Sequence, residues 1–260
     1  MKWVRAIDGE TTTYGIVESD DVAFVSGSPF GRWERTGETR KLASVRLTYP
    51  VTPGSFYCQG RNYATHNNVL YDDFGAKYPA SKMPDPSQRS NNALIADGET
   101  IVIPADAGPN VHPEGELVVV IGQRCKNVSE ADALSKVLGY TVGNDIGQRD
   151  WLKSDNMIWR AKNSDTFKPM GPWIETEVDL DALVTRVRIN GELEMEHRTN
   201  TMIFGIAQVI ATMTRYVTLH PGDVIWMGSE GSVRQISHGD VVEIEIEGIG
   251  KITNPVIRAS

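Results

Sequence analysis

The sequence predicts a mostly β, α+β protein: short alternating strand runs, one clear hairpin signal and only two or three helices. VVEIEIE near the C-terminus alternates apolar and polar residues, as a half-buried strand does. RVRINGELEMEH carries Asn190-Gly191 between two strand-like runs, the two-residue turn that hairpins favour. One long stretch, NTMIFGIAQVIATMTRYV, keeps helical spacing instead. Its Met202, Ile203, Ile206, Val209, Ile210 and Met213 share a face, and Asn200 is its candidate cap.

The elements follow in chain order. Residues 1–52 read as a small β-rich N-terminal domain, with VRAID, TYGIVES and DVAFVSG as strands between turn residues. YPVTPGS, residues 49–55, reads as a linker into a second domain, residues 53–260. FYCQG is strand-like. Residues 62–92 are polar and carry Pro79, Pro84 and Pro86, so they read as a long loop and a candidate lid. IVIP, ELVVVIG and GYTVGND are further strands, and SEADALSKVL is a short helix with Ser129 as cap. LHPGDVIWMGSEG and GDVVEIEIEGIGKITNP close the chain, which shows no internal repeat.

Composition excludes some functions. The 260 residues carry a net charge of −8, and Lys and Arg form no run. Nucleic acid and acidic membrane surfaces are therefore poor partners. The two cysteines, Cys58 and Cys125, show no metal spacing and suit a reducing compartment. The opening residues hold no apolar signal core, and no apolar run approaches the ~20 residues that span a bilayer. The expectation is a soluble cytoplasmic protein with a small-molecule ligand.

Chemistry concentrates in three places. In NVHPEGELVVVIG, Glu114 and Glu116 stand two apart at the mouth of an apolar run. On a strand they project to one face, where like charges repel. Either a cation sits between them or the pair lies in solvent, and spacing alone leaves the solvated face as the plainer reading. Asp145 in GYTVGNDIGQRDWL stands where a strand runs out, and Lys162 and Asp165 lie in WRAKNSDTFKPMGPW. A hard divalent cation takes oxygen ligands and keeps several waters, and three such carboxylates supply half an octahedron.

Five segments, GRNYATH, EGELVVVIG, YTVGNDIGQRDW, KNSDTF-x-PMGPW and PGDVI-x-x-G, occur in order within a stretch of roughly residues 56–255. Together they resemble the fumarylacetoacetate hydrolase family, in its acylpyruvase and 2-hydroxyhepta-2,4-dienedioate isomerase branch. The resemblance implies a mixed β-roll, a homodimer, and Mg²⁺ or Mn²⁺ held by Glu114, Glu116 and Asp145. It implies 2-oxo or 1,3-dicarbonyl acids as substrates. Lys162 would stabilise an enolate, and Arg149 would grip a substrate carboxylate or form a structural ion pair. Arg61, Tyr63 and Ser229 would complete the substrate pocket, Ser229 standing where the family usually has Thr. Asp150 is expected to be structural.

His66 matches the family's general base, which a glutamate three residues on orients. Here that position is Val69, after Asn67 and Asn68, so only Asp72 or Asp73 nearby offers a substitute. Leu152 replaces a Gln of many relatives, and MGSEG replaces a TGTPxG loop. The leading expectation is hydrolytic C–C cleavage of an acylpyruvate- or fumarylacetoacetate-type acid. The alternative, favoured by Val69, is decarboxylation or enol–keto isomerisation of an oxaloacetate- or hydroxydienedioate-like acid. A binding protein on an enzyme fold is a third reading, against which the retained acids and Lys162 speak. Glu114→Ala or Asp145→Ala should abolish metal-dependent activity and leave the fold largely intact.

Overall fold

A computed structural model describes residues 1–66, 81–231 and 233–260. Val69, Asp72, Asp73 and the middle of the expected lid, residues 67–80, lie outside the described residues. The centre is the strand Gly115–Ile121, buried at every position. Its unbroken apolar run is what burial on both faces requires. It pairs antiparallel with Val137–Asn144 on one side and Val224–Trp226 on the other. Phe56–Cys58 adds to Val224–Trp226 in parallel.

Beyond Val137–Asn144 the sheet continues through Lys168–Glu175 to the N-terminal strand Lys2–Asp8, with Lys2 opposite Glu175 and Trp3 opposite Ile174. Thr11–Glu18, Asp21–Gly27 and an exposed edge strand, Trp33–Lys41, extend it. The N-terminal strands thus continue the central sheet. The edge strand had no clear signal in the sequence, because most of its residues are charged and every one is exposed, so no apolar face alternates along it. The YPVTPGS segment is packed: Val51 is buried and the Ser55 N–H donates to Asp223 Oδ1 at 2.7 Å.

A second sheet runs Glu192–Arg198, Val184–Ile189, Val241–Ile246, Gly250–Arg258, Ile101–Ile103. Asn190 and Gly191 turn its hairpin with φ of 56° and 83°, the left-handed pair that the tight turn needs. Val241–Ile246 alternates in burial as its sequence predicts. Leu117 and Val119 of the central strand share one apolar core with Ile189, Ile244 and Ile252 of this sheet. Gly115 sits where the sheets approach: a Cβ there would lie 2.9 Å from Ile244 and 3.1 Å from Val187. The glycine between the two glutamates is therefore a packing requirement.

Four α-helices lie wholly within the described residues. α1, Glu130–Ala133, starts with Ser129 Oγ accepting the Asp132 N–H, the expected cap. α2 is Arg149–Ser154 and α3 is Trp159–Asn163. α4 is Ile206–Tyr216, and its N-cap is Gly205 rather than the expected Asn200, five residues later than the sequence pattern suggests. Met202 and Ile203 precede it, and Asn200 does not cap it, since its amide donates to Asp181. Tertiary contacts take the first turn: the Ile203 N–H donates to Asn62 O at 2.7 Å, and Asn62 exchanges two side-chain hydrogen bonds with Phe204. Among the described residues, no helix is long and apolar enough to cross a membrane.

Candidate active site

The antiparallel register brings the acids together. Gly115 lies opposite Asn144 and Glu116 opposite Gly143, and the Asp145 N–H donates to Glu114 O at 2.8 Å. Glu114, Glu116 and Asp145 all face one cleft, which His66, Arg61, Arg89, Arg149, Lys162 and Ser229 also line. Leu152 and Ile158 give it an apolar wall.

Lys162 arrives on α3. Its Nζ lies 2.8 Å from Glu114 Oε2 and 3.2 Å from Asp145 Oδ2, and it donates to Asp145 O at 2.8 Å. Space for it depends on Gly147, where a Cβ would lie 2.9 Å from the Lys162 ammonium. Ile158, just before α3, adopts φ of 49°, uncommon and costly for a β-branched residue.

Two further cations hold Asp145, and sequence reasoning missed both. Arg89 forks onto it, Nε to Oδ1 at 3.1 Å and Nη2 to Oδ2 at 2.9 Å. Lys168 Nζ lies 2.9 Å from Oδ1 and donates to the carbonyls of Ile146 and Phe167. Arg89 lies in the stretch read as lid. The described end of that stretch is wall: Ser87–Gln88 pairs with Tyr57 and Cys58. Lys168 occupies the variable place in the KNSDTF-x-PMGPW segment, where a motif gives no signal.

These contacts set the charges. Burial opposes ionisation of Asp145, but Arg89, Lys162 and Lys168 outweigh it and hold its carboxyl well below the usual range. Burial likewise opposes ionisation of Glu114, and Lys162 and His66 overcome it. Lys162 stays charged because Asp145 and Glu114 exceed its burial cost. Burial brings Lys168 down to about 8. Glu116 goes the other way: burial, then Asp145 and Glu114, push it up to about 8, although Gly228 N–H donates to its Oε2 at 2.9 Å. Glu116 is thus the carboxylate whose charge is least compensated.

The three carboxylates fit a hard divalent cation. They offer oxygen donors in one cleft, and a cation would favour the ionised form of Glu116 that its surroundings oppose. A pH test follows from this. Between its ordinary value of 4.5 and about 8, folded Glu116 keeps a proton that the unfolded chain releases. Its contribution to stability is full below that window and lost as pH rises through it. Denaturant midpoints of the metal-free protein should therefore fall from about pH 5 to about pH 8. Glu116→Gln should flatten that slope, and an unchanged slope in the variant would show that Glu116 is not its source.

His66 lines the cleft and is 7% exposed. Burial lowers its pKa, with Glu114 opposing, which favours the neutral imidazole that can accept a proton. Its Nδ1 has no hydrogen-bond partner among the described residues. Arg61 and Arg149 line the cleft as the resemblance implies. Ser229 is buried there, its Oγ donating to Gly231 O at 2.8 Å.

Tyr63 differs from expectation. Its hydroxyl donates to Thr199 O at 2.7 Å, its ring packs edge-on against His197, and it is not among the residues lining the cleft. That hydrogen bond turns it into the interior, where it secures the segment leading to His66. Asp150 accepts hydrogen bonds from Asn110 and Gln148, and Asp165 accepts one from Asn92.

Two family profiles match the chain: "Fumarylacetoacetate (FAA) hydrolase C-terminal" over residues 55–257 and "Rv2993c-like, N-terminal" over residues 1–50. The chain is 41% identical to Protein Rv2993c of Mycobacterium tuberculosis over 256 residues, 97% of this chain and 93% of that one. The 2-hydroxyhepta-2,4-diene-1,7-dioate isomerase structure from Mycobacterium marinum is 37% identical. It superposes with a TM-score of 0.89, covering 100% of this chain and 99% of that one. The maleylpyruvate hydrolase structure from Sphingobium sp. SYK-6, in complex with manganese(II) and pyruvate, is 26% identical with a TM-score of 0.81, covering 100% of both chains. On the profile match across most of its length, this chain belongs to the fumarylacetoacetate hydrolase family.

Proposed function

We propose that the protein is a divalent-metal-dependent enzyme of 2-oxo acids whose chemistry passes through an enolate. Enol–keto isomerisation or decarboxylation stands ahead of hydrolysis. The observation that carries the reading is the Lys162 ammonium, fixed in the cleft against Glu114 and Asp145. A permanent positive charge so placed stabilises oxyanion character without moving to do so. Mg²⁺ or Mn²⁺ on Glu114, Glu116 and Asp145 would supply Lewis-acid polarisation of substrate oxygens. Arg61 and Arg149 on the cleft wall suit a substrate carboxylate. Neutral His66 suits proton transfer at carbon.

The order of the reactions rests on His66. Hydrolysis asks a histidine to activate water, which a carboxylate on its other nitrogen assists. His66 Nδ1 has no such partner among the described residues, and position 69 is Val. The stronger likeness to the M. marinum isomerase supports the same order. Likeness to the maleylpyruvate hydrolase keeps hydrolysis as the second reading.

Lys162→Met tests the electrostatic role. Its kcat on a hydroxylated dienedioate or oxaloacetate should fall on the order of 10²–10³-fold. Circular dichroism would check that the variant is folded. A folded variant within about threefold of wild type would remove Lys162 from the chemistry.

A further inference from the structure

Cys58 lies behind the carboxylates and is fully buried. Its Sγ is 3.5 Å from Asp145 Oδ2 and 3.7 and 3.8 Å from the two oxygens of Glu116. A thiol has one proton to donate, yet this one touches three carboxylate oxygens. One ligand atom from each of Cys58, Glu116 and Asp145 lies within 4.8 Å of the others. Tetrahedral coordination with a metal–sulfur bond of about 2.3 Å and metal–oxygen bonds of about 2.0–2.2 Å puts sulfur and oxygen about 3.5–3.7 Å apart. The Sγ distances to Asp145 Oδ2 and Glu116 Oε2 already match that edge.

We infer that Cys58 is an additional ligand for softer divalent cations, binding Zn²⁺ or Co²⁺ through sulfur together with Glu116 and Asp145. Hard Mg²⁺ would leave it a thiol. The inference rests on the reading that this cleft holds a divalent cation and adds which cations it retains. Hard ions prefer oxygen, whereas thiolate sulfur favours softer ones. Charge points the same way. Arg61, Arg89, Arg149 and Lys162 already face the acids Asp85, Glu114, Glu116 and Asp145 across this cleft, with Lys168 beneath on Asp145, so a divalent cation adds positive charge that nothing else among the described residues of the cleft compensates. Forming the sulfur–metal bond expels the thiol proton to solvent and cancels part of that charge. The neighbouring ligands belong to one cleft, and the buried His66 Nδ1, without a partner among the described residues, lines it too.

The experiment loads the metal-stripped full chain with Co²⁺ and reads its near-ultraviolet absorption. A thiolate-to-cobalt charge-transfer band is expected in wild type and in Cys125→Ser, and its loss in Cys58→Ser. Calorimetry should show Zn²⁺ affinity falling by about tenfold or more in Cys58→Ser, with Mg²⁺ affinity held within about twofold. Cys58→Ala serves as a second variant if the serine disturbs folding. Stoichiometric Co²⁺ without the band in wild type overturns the inference alone. A band that Cys125→Ser abolishes also overturns it. Failure of wild type to bind any divalent cation overturns this inference and the metal reading together.

Discussion

Asp145→Ala should destabilise the protein by on the order of 3–5 kcal/mol, because it removes the shared partner of three buried cations. Arg89 is fixed on both Asp145 oxygens, Lys168 on Oδ1 and Lys162 on Oδ2. None of the three reaches water easily, and Lys168 is fully buried. Like-signed charges left at that spacing repel strongly in a low-dielectric interior. Asp145→Asn should show most of the same loss, since it keeps the shape and removes the charge. The sequence suggests a fold largely indifferent to this change; the structure makes Asp145 the electrostatic centre of the cleft floor. Denaturant titration of the metal-free variants decides it. A loss below about 1 kcal/mol would mean that the cations find other partners.

His66→Ala should lower turnover by on the order of 10²–10⁴-fold on a substrate whose reaction moves a proton at carbon. Decarboxylation, which needs no such base, should change by less than about tenfold. Product formed in ¹⁸O-water should carry no solvent oxygen in a newly formed carboxylate. Label in that carboxylate would establish hydrolysis. Loss below about tenfold for every substrate would take His66 out of the proton path.

The acids of this site were legible because their placement is local. Glu114 and Glu116 flank the first residue of the central strand, which begins at Gly115, and Asp145 directly follows the end of the partner strand at Asn144. Lys162 came through a recognisable segment. The hairpin at Asn190-Gly191 and the Ser129 cap were legible for the same reason: each is decided by a few adjacent residues. Arg89 and Lys168 were not. Arg89 meets Asp145 across 56 positions of sequence, in a stretch whose prolines and polar residues read as loop. Lys168 sits among apolar residues, and only the register of its strand turns it onto Asp145. Cys58 had no partner spacing to betray it. Tyr63 and the start of α4 show the reverse limit. Their sequence patterns are sound locally, and hydrogen bonds to Thr199 and Asn62 override them.

The most direct measurement of the central claim is turnover of a small panel with Mg²⁺ and Mn²⁺, each arm repeated with EDTA. The panel would hold oxaloacetate, a hydroxylated dienedioate, acetylpyruvate and fumarylacetoacetate. Turnover of at least one acid that stops with EDTA and returns with added metal is the predicted result. Turnover indifferent to EDTA, or none with any of the four despite bound metal, would contradict a metal-dependent oxo-acid enzyme.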